Sequence, residues 1–141
     1  MNLSRCQPSE EFASVSLHYS HGDTATMAFE KLCSMRDLAP GIMAEFATRE
    51  GTRVLVIRQP DGGWTAFQAL CPHAGVELVA GTLANGILTC REHWWQFDAA
   101  SGLGTNPTGC HLARYPLQVV NDDVCVDVTG VVPFKAGRAV P

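Results

Sequence analysis

Cys71-Pro72-His73 and Cys90-Arg91-Glu92-His93, separated by sixteen residues, constrain this chain more than any other feature. Each box offers one thiolate and one imidazole two or three positions apart, a spacing that lets one tight loop aim both side chains at a single point. A fold that uses both boxes must carry two loops to the same place. Thiolate and imidazole together suit zinc or the iron of an iron-sulfur cluster. Structural zinc sites more often put two Cys in one knuckle, whereas each knuckle here holds one residue of each kind. That mixture matches a 2Fe-2S centre in which His replaces Cys on one of the two irons. Cys71, His73, Cys90 and His93 are therefore the candidate cluster and metal ligands. A zinc-stabilised binding module is the alternative from another functional class.

The sequence around the boxes predicts an all-β fold. Residues 43–48 and 53–58 read as strands joined at Glu50-Gly51, and Asp61-Gly62-Gly63 turns into a strand over 64–70. Asn85-Gly86 is a hairpin signal feeding residues 87–90, so the second box hangs from a strand end. Residues 95–98 continue as a strand to a turn at Ala100-Ser101-Gly102, and 117–120 with 124–128 read as a closing hairpin around Asn121-Asp122-Asp123. One helical turn over 34–38, stopped by Pro40-Gly41, is expected. No long amphipathic stretch is available for parallel crossovers. Short strands with frequent turns indicate a sandwich or small barrel. Residues 102–109 read as a loop, and the tail with Pro133, Gly137 and Pro141 as loosely packed.

Further residues extend the match beyond the two boxes: Met27-Ala28-Phe29-Glu30-Lys31-Leu32-Cys33, Ala69-Leu70-Cys71-Pro72-His73, Ile87-Leu88-Thr89-Cys90, and Asn106-Pro107 with Tyr115-Pro116-Leu117. On these residues the chain resembles the Rieske ferredoxins from about 27 to 133, and is most similar to those of toluene-type diiron multicomponent monooxygenases. The resemblance implies an antiparallel β sandwich or barrel with a small cluster-binding subdomain at about residues 69–98. It implies one Rieske 2Fe-2S cluster per chain, a third loop containing Pro107 beside the cluster, and His73 and His93 at a docking tip. It implies a one-electron carrier with no catalytic residues of its own, not an enzyme. The implied partners are an NADH-dependent flavin and iron-sulfur reductase and the diiron hydroxylase of an aromatic or hydrocarbon monooxygenase. The ferredoxin of a Rieske-type aromatic ring-hydroxylating dioxygenase is the runner-up. Many Rieske proteins have Gly directly after the second His, where this chain has Trp94. Quinol-oxidising members add a disulfide between the loops and a Ser hydroxyl to a cluster sulfur, at positions matching Val76, Glu92 and Trp95 here. Fewer hydrogen bonds to the cluster imply a potential toward the lower end of the roughly −150 to +300 mV range of such centres.

The formal charge of −4 argues against a nucleic-acid partner. No run of about eighteen apolar residues offers a membrane span. The first 26 residues carry Arg5, Glu10 and Glu11 but no apolar core, so they do not read as a secretion signal. The expectation is a cytoplasmic protein, monomeric in isolation. Residues 1–26 read as a flexible extension ahead of a ferredoxin domain at 27–141, with Met27 as the start that the resemblance suggests. Cys125 lies in an apolar run and reads as a core residue. Cys110-His111 is a poor rival ligand pair, because adjacent side chains converge badly on one metal. Alternation sends one of Trp94 and Trp95 inward and the other toward the docking face, which Glu77, Arg91 and Glu92 would rim.

Overall fold

The computed structural model describes residues 28–135. The expectations for the extension, for Met27 and for Gly137 and Pro141 fall outside the described residues. Ten strands follow one another: β1 (Glu30–Ser34), β2 (Met43–Ala47), β3 (Arg53–Arg58), β4 (Trp64–Gln68), β5 (Thr82–Ala84), β6 (Ile87–Thr89), β7 (Gln96–Asp98), β8 (Gly104–Asn106), β9 (Leu117–Val120) and β10 (Asp123–Val126). Among the described residues the helical content is two short 3-10 turns, Met35–Asp37 and Leu78–Ala80. The strands form three antiparallel sheets, ordered β1-β10-β9, β2-β3-β4 and β5-β6-β7-β8. The predicted all-β class is the observed one.

The run Val54-Leu55-Val56-Ile57 in β3 explains how the sheets stack. All four residues are fully buried, and successive side chains point to opposite faces. Leu55 and Ile57 pack with Phe67, Leu78, Leu88 and Phe97, while Val54 and Val56 pack with Leu38, Ala66, Tyr115 and Val126. The β2-β3-β4 sheet is thus a middle layer, covered by β1-β10-β9 on one face and by β5-β6-β7-β8 on the other. A strand buried on both faces reads as a continuous apolar run, not as alternation. Each large side chain buried there contributes roughly 1.5–3 kcal/mol.

Asn85 and Gly86 adopt φ of 52° and 78°, the left-handed pair that a two-residue hairpin requires, and they join β5 to β6 as predicted. Two expectations are corrected. Residues 102–109 are not all loop: β8 pairs with β7, Gln96 opposite Asn106 and Phe97 opposite Gly104. Gly-Thr-Asn on an exposed edge carries no apolar signal, and the strand is held by main-chain bonds, including Gly104 N–H to the Cys110 carbonyl at 2.8 Å. The tail is not loose throughout either, since Phe134 packs against the core beneath the ligand boxes and exchanges hydrogen bonds with Gln68.

Candidate metal centre

The first box leaves the middle layer at the end of β4. Cys71 N–H donates to the Val76 carbonyl at 2.8 Å, Gly75 N–H donates to the Cys71 carbonyl at 2.9 Å, and a bridge between Leu70 and Glu77 closes the loop. The second box leaves β6, and Cys90 N–H donates to the Trp95 carbonyl at 2.8 Å to close its own loop. Between them the chain approaches itself so closely at Gly81 that a Cβ there would collide with the Thr89 carbonyl oxygen. Glycine lets the segment after the 3-10 turn lie directly against the strand that delivers Cys90.

The loops bring Cys71, His73 and Cys90 together, with their ligand atoms all within 4.8 Å of one another. His73 Nδ1 lies 2.9 Å from Cys71 Sγ, and its Nε2 lies 2.9 Å from His93 Nδ1. His93 therefore reaches the group through His73 and stands outside the tight set of three. Both thiols are buried, His73 is half-buried and His93 is exposed. Trp95 is the inward member of the tryptophan pair: it packs on the apolar core and stacks on His73, with ring centroids 4.4 Å apart at 12°. Trp94 points outward at 68% exposure.

Burial pushes the Cys71 thiol up to about 12; the neighbouring Cys90 thiol adds to the rise, and the backbone N–H groups of His73 and Ala74 oppose it. Burial also lowers His73, helped by the adjacent His93 ring and opposed by Glu92. Both shifts disfavour charge on the isolated side chains. A bound cation reverses that preference at the thiol, which is deprotonated outright on coordination, and agrees with it at His73, because imidazole ligates in its neutral form. Buried sulfurs on the inside, imidazoles on the outside and backbone N–H groups aimed at sulfur, including Glu92 N–H to Cys90 Sγ at 3.4 Å, fit an iron-sulfur group with mixed ligation.

Cys110 and His111 do not join this set. Burial raises the Cys110 thiol, its S–H donates to the Pro107 carbonyl at 3.3 Å, and His111 rests against Phe134. Sequence reasoning missed Gln68. Its amide donates to the Leu70 and Phe134 carbonyls at 2.9 and 3.1 Å, and its oxygen accepts from Ala113 and Phe134 N–H at 2.7 and 2.8 Å. A long amide side chain at the end of a mostly apolar strand, three residues before Cys71, was the signal available.

The profile of the Rieske 2Fe-2S domain matches residues 28–116. The chain belongs to the Rieske family. The ferredoxin component of the alkene monooxygenase system of Xanthobacter autotrophicus (strain ATCC BAA-1158 / Py2) is 33% identical over 127 residues, covering 89% of this chain and 100% of that protein. The ferredoxin component of biphenyl 2,3-dioxygenase of Rhodococcus jostii (strain RHA1) is 35% identical over 105 residues, 74% of this chain and 96% of the relative. Among solved structures, the ferredoxin of carbazole 1,9a-dioxygenase from Nocardioides aromaticivorans IC177 superposes with a TM-score of 0.61 at 27% identity, over 69% of this chain and 94% of that one. These Rieske relatives are electron-transfer components, not catalytic subunits. The cofactor is a Rieske 2Fe-2S cluster, which when bound supplies a one-electron couple. Among the described residues no helix is long and apolar enough to cross a membrane.

Proposed function

We propose that this Rieske ferredoxin carries single electrons from an NADH-dependent flavin and iron-sulfur reductase to the diiron hydroxylase of a hydrocarbon monooxygenase in the cytoplasm. The match to an alkene monooxygenase ferredoxin along that protein's whole length is the observation that carries the reading. Cys71 and Cys90 would hold the cluster from the buried side of the site and His73 and His93 from its exposed side, within a domain assigned to residues 27–141 behind an extension at 1–26. Main-chain bonds around Cys71 and Cys90 set the loop shapes, Trp95 fixes the plane of His73, and the outer imidazoles lie where a partner can approach. Electrons then enter and leave at the same end.

A second reading, service to a ring-hydroxylating dioxygenase, is favoured by the likeness to the biphenyl dioxygenase ferredoxin. Reductive titration of the purified protein, followed by visible absorption and low-temperature EPR, tests the centre. A one-electron signal of mixed Cys and His ligation at low potential supports the carrier. A colourless, EPR-silent protein with stoichiometric zinc overturns it. Reconstitution with a diiron hydroxylase and, separately, with a Rieske dioxygenase separates the two oxygenase readings by which one turns over.

A further inference from the structure

We propose that Trp94 is the anchor by which this ferredoxin docks on its oxygenase component, its indole entering an apolar recess beside the electron acceptor. The inference rests on the carrier reading above. Trp94 is 68% exposed, and of the large hydrophobic residues exposed among the described residues it is the one in a ligand loop; Ile42, Leu103, Val119 and Val132 lie elsewhere in the chain. The first ligand loop exposes Ala74 and Gly75, which carry almost no side chain, so the large apolar contact at this end comes from the second loop.

The backbone holds the indole outward at a cost. His93 and Trp94 have φ of 65° and 55°, a left-handed pair that glycine adopts freely and residues with a Cβ avoid. The Cys90 N–H bond to the Trp95 carbonyl closes the loop around them, and Trp95 is committed inward by its stack on His73. Trp94 is left exposed in a strained conformation that a glycine would adopt more easily, and among the described residues its indole makes no ring stack or hydrogen bond. Buried aromatic anchors dominate binding energy at protein interfaces. Trp94 directly follows His93, the exposed imidazole of the site, so a recess that takes the indole also seats His93 against the partner. The indole offers broad apolar area and a single N–H donor, so the fitting recess is apolar with at most one acceptor. The relatives' oxygenase systems name the class of partner.

The test uses the cluster-loaded protein and calorimetric titration against the oxygenase and, separately, the reductase of its own system. W94A and W94G are expected to weaken oxygenase binding ~10-fold or more, and W94F to retain it within ~3-fold. The EPR spectrum and midpoint potential stay at their wild-type values, and W94G melts no lower than wild type because glycine relieves the left-handed strain. Unchanged oxygenase affinity overturns the anchor, as does a loss confined to the reductase. A lowered melting temperature with a shifted EPR spectrum in W94G also overturns it, by making Trp94 a structural part of the loop. A loaded wild-type protein that neither binds nor reduces the oxygenase overturns the partner assignment itself, a failure distinct from that of the variant alone.

Discussion

On one face of the middle sheet, Val54, Val56 and Ala66 meet Leu38, Tyr115 and Val126, and the core closes on apolar side chains. On the other, Leu55, Ile57 and Phe67 meet Leu88 and Phe97, and the core ends in the buried thiols of Cys71 and Cys90. The first face is complete in itself. The second ends in two buried sulfurs, and burial keeps the Cys71 thiol from ionising, under a loop with two consecutive left-handed residues. Stability and function are thus divided between the two faces of one sheet: hydrophobic packing fixes the platform, and metal ligation would complete what the platform presents.

The largest expected effect breaks the second face and spares the first. C90S should reduce iron and visible absorbance to background, while amide exchange protection in β1, β9 and β10 persists; protection lost together in all three sheets would show that the faces are not independent. Next is Q68A, which removes the four bonds that the Gln68 amide makes at the end of β4, one to Leu70, one to Ala113 and two to Phe134. It strands buried main-chain groups beside the first box, and urea unfolding should show a loss of about 3 kcal/mol. A loss well below about 1 kcal/mol would mean that water replaces the amide without cost.

A smaller effect belongs to the first face. Asp127 accepts from Ala28 N–H at 2.8 Å and Thr129 N–H at 2.9 Å. Burial pushes its carboxyl up, but bonds from the Thr129 side chain and these two N–H groups outweigh it and hold the group below its ordinary value. A carboxyl depressed on folding contributes stability that is fully present above its unfolded value near 3.9 and is lost as pH falls through the lower folded value. D127N should therefore be less stable than wild type at neutral pH, and the gap should shrink on acidification; a gap that widens in acid would refute this sign. Smallest is R53A. Arg53 ties Glu45 in β2 to Glu77 beside the first box at 2.5 and 2.6 Å, across the two regions, but it lies on the surface where water screens the charges. Its removal should leave both the unfolding midpoint and the reduction potential unchanged, and a shift in the potential alone would make the pair a link between the platform and the site.

Much of this arrangement was legible in the residues. The Asn85-Gly86 hairpin, the strand that follows it and the meeting of Cys71, His73 and Cys90 follow from local turn chemistry and ligand spacing. The strand at Gly104–Asn106 was not legible, because an edge strand of small polar residues is specified by its partner. Phe134 was missed for a related reason: its partner Gln68 is 66 residues away, and no local pattern reports such a contact.

The sequence by itself determined the candidate ligand types, their placement in two loops and the all-β class, since these depend on residue chemistry over a few neighbouring positions. The tertiary structure decided which tryptophan turns inward, where His93 stands relative to the tight set of three, and which face of β3 serves the site. Alternation says that neighbouring side chains part, but only packing against a third element says which one is buried: the His73 ring takes Trp95, and Trp94 is left to the solvent.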